Sequence, residues 1–496
     1  MASKIFKGDM PELMENILNN LKNEIYSLHS CALVSRHWCK ISIPILWQDP
    51  FSLDRSSRPS FIFNYFSSLC KDEKFVLKKY GINVKSFKTL FEYARFIKVL
   101  NLSCIKYKVE RLTNRKLDNP SKNYIINLFI KLFIESGAIL HKLYFPDYEI
   151  NPENFILLEQ NDQFFSRLQH LTLDIEPRLN PESTATLLKI LTKNATKISA
   201  LKLEKFHSNY EIKLFHTLIC MIESQEKLKL INLSGDFSTK FNGFVSALEC
   251  QKNSLKEVII DCCAYSAEFE LLKNFKYLET LRINYCDRKL IKSIENKISA
   301  LEVVDVEIDA PTIVHILEKS GTLLQRLKFE SEIDILNENL LLEALKSFCP
   351  NIKYLYISRI MFSIQFLELI GSLHKLQFLS FWCLDDDEPE EKLKLRVLQF
   401  AKILPLTLKY LDLGDNDWTE TYLDILLNHC NASLNNLLIY DIYNEKNTKA
   451  IVEFCKRNKT LNYVGVDQFW NLDDDIKKQV EGHVTFVPAG KVMIKF

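Results

Sequence analysis

Two features of the sequence could carry covalent or metal chemistry. Cys262 and Cys263 are adjacent, and a thiolate held beside a base or a cation would be a nucleophile. The run LDDDEPEEK at 384–392 concentrates carboxylates, the hard oxygen donors a divalent cation takes. Neither has the company its chemistry needs. The ten histidines are dispersed, and none pairs with a second histidine and a carboxylate at metal-ligand spacing. His37, between Arg36 and Trp38, reads as a helix residue rather than a base. G-x-S-x-G, H-E-x-x-H, the Walker-A loop and G-x-G-x-x-G are absent, and 11 glycines leave little material for a phosphate cradle. Pro389 breaks the acidic run, which reads as a solvated loop. The expectation is a chain with no catalytic residue, no cofactor and no metal, and so not an enzyme.

The 496 residues have length for about three ordinary domains, or for one continuous repeat body. Hydrophobic content of 47% with 26% charged residues is globular rather than disordered. Lys+Arg is 64 against Asp+Glu 63, so no bulk field favours nucleic acid or an anionic membrane. The opening MASKIFKGDM has no apolar core or small-residue cleavage site. No apolar run reaches about 18 residues. An intracellular protein, cytoplasmic or nuclear, is expected. The 13 cysteines are odd in number and scattered without a C-x-x-C pair, so they read as buried thiols rather than a disulfide framework or zinc site.

The elements that position these residues repeat. A template L-x-x-L-x-L, other aliphatics allowed, recurs as IKVLNL (97), LHKLYF (140), LQHLTL (168), ISALKL (198), LKLINL (228), LKEVII (255) and LETLRI (278). It continues as LEVVDV (301), LQRLKF (324), IKYLYI (352), LQFLSF (376), LKYLDL (408), LNNLLI (434) and LNYVGV (461). After a first gap of 43 the spacing stays between 23 and 32 residues. The second half of each template alternates as a strand does, one face buried and one presented. Segments between, such as SIQFLELIGSLH and YLDILLNHC, carry apolar residues at helical spacing. Units of 23 residues leave room for little more than a short helix or 3₁₀ turn. KYKVERLTNRKLDNPSKNY (106–124), basic and polar, reads as a loop that fills the first gap.

The pattern resembles the leucine-rich repeat, whose next anchor, Asn or Cys, is met by Cys263, Cys286 and Asn416. The resemblance implies an α/β repeat fold: a curved leucine-rich-repeat solenoid with parallel strands on its concave face. It also makes Cys263 a structural thiol rather than a nucleophile.

Ahead of the repeats stands a helical unit. Asp9 can cap a helix with Glu12 at its third position, and Pro11 falls in the first turn, where its missing N–H costs nothing. Leu13, Ile17 and Leu21 share one stripe, with Met14 and Leu18 widening it. Further helices are expected from about Ser27 to Val34 and from Arg36 towards Leu46, Pro44 marking an end or kink. So small a unit is marginal by itself, which makes its leftover apolar residues interface candidates. Pro11-Glu12-Leu13, Ile17-Leu18, Leu33-Val34-Ser35-Arg36-His37-Trp38 and Leu46-Trp47 together resemble the F-box motif.

That resemblance implies docking to a Skp-type adaptor and through it to a cullin–RING ubiquitin ligase. It points to Pro11, Leu13, Ile17, Leu18, Leu33, Val34 and Trp47 as adaptor contacts or close supports, with Trp38 packing inside the unit. The implied organisation is an F-box-like helical module (1–50), a helical linker or first cap (51–95), the solenoid (96–470) and a C-terminal cap or tail (471–496). The implied function is substrate recognition for the ligase. The alternative is a repeat scaffold outside any ligase, the helical unit serving as its cap.

Positions three, five and seven of each template should face a partner. In the C-terminal units these include Tyr354, Tyr356, Phe378, Trp382, Tyr410, Asp412, Tyr440 and Tyr463, an aromatic stripe of the kind that anchors interfaces. These are the expected substrate-binding residues. In the middle units the corresponding positions are polar or charged: Thr280, Arg282, Asn284, Asp305, Glu307, Arg326 and Lys328.

Overall fold

The computed structural model describes residues 11–52, 59–85, 88–113, 117–146, 150–174, 181–206, 212–241, 243–384, 389–414, 416–440, 442, 444–467, 474–480 and 482–492. Asp9 and Met10, and residues 385–388 of the acidic run, lie outside them. The chain divides into two compact units, Met1–Asp236 and Phe237–Phe496, taken in turn.

The described residues of the first unit open with three helices, α1 (Pro11–Asn19), α2 (Ile25–Val34) and α3 (Arg36–Leu46). Their core is Met14, Leu18, Leu28, Ile45 and Leu46, flanked by Leu21, Ile25, Cys31, Trp38, Ile41, Ile43 and Trp47. The Ser35 hydroxyl caps α3 by accepting from the Trp38 amide at 3.2 Å, an arrangement that contributes about 1 kcal/mol. The single stripe expected on α1 is in fact two. Met14 and Leu18 turn inward, whereas Leu13 and Ile17 stay exposed.

Five parallel strands follow: β1 (Val99–Asn101), β2 (Lys142–Phe145), β3 (His170–Asp174), β4 (Ala200–Glu204) and β5 (Leu230–Ser234). Their register sets Leu100, Leu143, Leu171, Leu201 and Ile231 side by side, all buried. One carbonyl before each strand accepts two amides from the next. Lys98 receives His141 and Lys142, His141 receives Gln169 and His170, and Gln169 receives Ser199 and Ala200. Gln48, just after Trp47, extends this rail, accepting from Lys98 and Val99 at 2.9 and 3.0 Å. The helical module is thereby joined to the first repeat through backbone.

The segment 106–124, expected as a loop, is mostly helix. One helix spans Leu102–Leu112 and another Asn119–Glu135, with 114–116 undescribed. The basic composition hides an amphipathic pattern: Leu102, Ile105 and Val109 are buried at helical spacing. Asn101 and Asp118 cap the two helices, their side chains accepting from Cys104 and Ser121 amides at 3.0 Å each. Lys122 and Glu110 pair across them at 2.9 Å.

Among the described residues of the second unit ten strands pair in chain order, all parallel. They are β6 (Glu257–Asp261), β7 (Thr280–Asn284), β8 (Ala300–Val304), β9 (Arg326–Glu330) and β10 (Tyr354–Met361). The rest are β11 (Phe378–Leu384), β12 (Tyr410–Asp412), β13 (Asn436–Ile439), β14 (Tyr463–Val466) and β15 (Thr485–Pro488). The shortest repeats carry only a 3₁₀ helix at Ala267–Asn274 and one turn at Lys289–Lys292. Later ones carry helices such as Ala310–Ser320 and Trp418–His429. Both units therefore have the α/β architecture of leucine-rich repeats.

Two expectations fail in detail. The template at 301 is out of register by three residues: Ile298, Leu301 and Val303 are the inward set, and β8 starts at Ala300. Glu302, not Asp305 or Glu307, is thus the presented acid. Asp305 follows the strand at φ 48°, and Glu307 pairs with Arg288 at 2.7 Å. The second miss is β15, which lacks the template yet pairs along all of β14.

The anchor residues satisfy backbone groups at the turn behind each strand. The Cys263 and Cys286 thiols donate to the Asp261 and Asn284 carbonyls at 2.9 and 3.0 Å. Asn416 donates to the Phe381 carbonyl at 2.9 Å and to that of Leu413, while its own carbonyl accepts the Cys383 amide at 2.8 Å.

Gly321 marks a tight backbone approach. A Cβ there would lie 2.5 Å from both the Leu317 and Phe348 carbonyl oxygens. Gly321→Ala is expected to destabilise the second unit by about 3 kcal/mol, read as a lower denaturation midpoint. Gly490→Ala, with open space around it, should not.

Candidate interaction surfaces

The first surface is the outside of the three-helix module. Leu33 and Val34 are 76% and 62% exposed at the end of α2, and Leu13 and Ile17 are 42% and 43% exposed on α1. Tyr26, which sequence reasoning overlooked, is 87% exposed. At 100° per residue, Tyr26, Leu33 and Val34 share the side of α2 opposite its buried Leu28. Pro11 begins α1. The other two named residues are placed differently. Leu18 belongs to the module core, so it can support a contact but not make one. Trp47 turns towards the linker, its ring 4.1 Å from that of Tyr93 and 5.3 Å from that of Tyr65. Behind it Tyr65, Phe51, Phe129 and Phe133 pack edge-on and stacked within about 6 Å of one another.

The second surface is the presented face of β9–β14. Cross-strand register aligns Arg326, Tyr354, Phe378, Tyr410, Asn436 and Tyr463 in one row. Lys328, Tyr356, Ser380, Asp412, Leu438 and Gly465 form the next. The expected open aromatic stripe is not open along its length. Phe378 stacks on Tyr410 at 4.2 Å and on Tyr354 at 5.8 Å. Beyond β15 the chain turns back through a 3₁₀ helix, Ala489–Lys491, and Ala489 and Val492 close over Phe378, Tyr410 and Leu438. Phe378 and Tyr410 are 3% and 4% exposed and unavailable to a partner in this state.

Sequence reasoning missed this cover because the closing residues carry no repeat signal. Gly465 inside a strand was the available clue, since such a glycine often marks close backbone approach. A Cβ there would lie 3.0 to 3.2 Å from Leu438, Val492 and Ala489.

What remains presented is the rim. Tyr463 and Trp382 are exposed. Tyr354, Tyr356, Asp412 and Tyr440 are half-buried. Cations from adjoining positions already sit on three of these rings: Arg326 over Tyr354 at 4.9 Å, Lys328 over Tyr356 at 5.0 Å and Arg359 over Trp382 at 4.4 Å. Burial raises the Asp412 carboxyl above its ordinary range, although the Gly414 amide and Ser380 hydroxyl each donate to it at 3.0 Å. Arg359, Trp382, Asp334 and Asp417 line a cleft of about 510 Å³ at the bulge that follows Ser358. Towards β7, Arg282, Glu302 and Lys328 form a ladder with 3.5 Å contacts.

The nucleophile candidates do not suit catalysis. Burial, and then the Asp261 carboxylate, push the Cys262 thiol up to about 11. A thiol so protonated near neutral pH is a poor nucleophile. Cys263 is buried with its thiol on a carbonyl.

No family model matches the chain, and no curated protein matches it. Among solved structures it is similar to a chain of the yeast Rad7 and Elc1 complex. That likeness is at 14% identity with a TM-score of 0.45, over 79% of this chain and 94% of that one. It is also similar to a leucine-rich-repeat protein of Leptospira interrogans, at 12% identity with a TM-score of 0.33, over 81% of this chain and 99% of the other. The repeat architecture itself rests on the strand ladders described above.

Proposed function

We propose that the protein is a non-catalytic receptor that joins two others. Its three-helix module holds a Skp-type adaptor, and with it a cullin–RING ubiquitin ligase, while its repeats hold the protein to be ubiquitinated. Its contribution to the reaction is proximity, the placing of a target beside the transferring enzyme. One observation carries this reading. A module with its own core still leaves Leu13, Ile17, Leu33 and Val34 outward, at positions that match the F-box motif. Exposed apolar side chains gathered on one small unit favour a protein partner.

A second reading has its own support. The Gln48 carbonyl continues the strand rail and the Trp47 ring packs on the linker aromatics, as a solenoid cap would. The two readings differ in whether the outward residues have a partner. Titrating the full-length protein with a purified Skp-type adaptor separates them. The receptor reading expects saturable one-to-one binding at micromolar strength or tighter. A scaffold with a mere cap expects none.

A further inference from the structure

One set of basic residues is used by neither surface. On β2, β3 and β4, Lys142, His170 and Lys202 lie on the presented face: Lys142 is the register partner of His170, and Lys202 follows Ala200, the next partner, by two residues. Adjacent strands are about 4.8 Å apart, so the three side chains form one group. Lys98, His141 and Arg167 lie just ahead of β1, β2 and β3.

Among the described residues none of these six side chains pairs with an acid, and three acids on or beside the same strands are engaged elsewhere. Asp174 pairs with Lys205 at 2.9 Å, Asp162 faces Lys193 at 3.9 Å, and Glu204 accepts from the Tyr144 hydroxyl at 3.4 Å. The cations act on the two imidazoles between them. Burial, then Lys142 and Lys202, hold the His170 imidazole below its ordinary value. Burial, then Lys98 and Arg167, do the same to His141. Like charges gathered without counter-charges raise a local positive potential, which draws an anionic partner.

We propose that the leading ends of β2–β4 form a docking surface for an extended acidic segment of a partner protein, with Lys142 and Lys202 meeting its anionic side chains beside the His170 ring. The acids of an extended peptide on alternate residues are roughly 6.6 Å apart, close to the spacing of these rows. A nucleic acid fits less well. The chain as a whole carries a net charge of only +1, and the one aromatic among these rows, Tyr144, is half-buried rather than offered as a stacking platform. This inference stands apart from the ligase reading and does not need it.

The test uses full-length protein and fluorescence anisotropy at low ionic strength. The probes are a short peptide with alternate glutamates, its phosphoserine counterpart, its glutamine counterpart and a single-stranded oligonucleotide of equal charge. Binding is expected for one or both acidic peptides and not for the glutamine peptide. The stronger of the acidic pair identifies carboxylate or phosphate as the preferred anion. Lys142→Glu with Lys202→Glu should weaken the acidic peptide about tenfold or more. Lys252→Glu, an exposed reversal in the second unit, should leave it unchanged. The proposal is overturned if the glutamine peptide binds equally, if the double variant binds as the parent does, or if only the oligonucleotide binds.

Discussion

Ile17→Asp together with Leu33→Asp is expected to abolish capture of a Skp-type adaptor by the full-length protein while leaving its fold intact. Both side chains already face water, so charging them should change stability by no more than about 0.5 kcal/mol each. At an interface the same carboxylates would be buried without partners, at a cost of about 2 kcal/mol or more apiece. Together that weakens binding roughly a thousandfold. Leu18→Asp is the instructive contrast. It places a carboxylate among Met14, Leu28 and Ile45 and should unfold the module, losing helical circular dichroism along with binding. If the outward pair unfolds the module too, the surface has been misassigned as free.

Gly465→Val should push the C-terminal turn off the aromatic face. The added carbons meet Leu438 on β13, and Val492 and Ala489 on the covering turn, with one of those three contacts to backbone. Overpacking of this kind costs about 2 kcal/mol, and the least anchored partner gives way. The turn is the weaker side, being held by one 3₁₀ helix and the apolar cluster it covers. The expected signature is faster hydrogen exchange through 485–492 and new binding of an apolar dye as Phe378, Tyr410 and Leu438 become exposed. Gly482→Ala is no equivalent control, since Gly482 has φ +84° and strains any side chain. Gly490→Ala serves instead. A valine variant with parental exchange and no dye binding would mean that the cover does not rest on this approach.

The repeats were legible because their signal is written many times. Each inward leucine or isoleucine is set by one template, and errors in single units do not spread. The slip at β8 arose from local ambiguity: ISALEVVDVEI offers two overlapping sets of aliphatics three residues apart, and only the pairing of Leu301 with Leu281 and Leu327 decides between them. The helices at 102–112 and 119–135 were hidden by basic residues, of which Lys106 and Arg111 face outward while Lys108 is itself buried, although Asp118 and Pro120 were start signals in plain view.

The candidate surfaces were less readable for a different reason. Sequence gives the face on which a residue lies, but not what else lies on that face. Tyr410 alternates correctly and is nonetheless buried, because Val492 comes back from the far end of the unit to cover it. Trp47 fits its motif position and packs inward on Tyr93. The basic side chains of Lys142, His170 and Lys202 sit on separate strands, and only register makes them neighbours.

The most direct measurement is the hydrogen-exchange footprint of a purified Skp-type adaptor on the full-length protein. The account predicts slower exchange in α1 and α2, over 11–19 and 25–34, with the strands β9–β14 unchanged. Exchange in the module that is the same with and without saturating adaptor would contradict it.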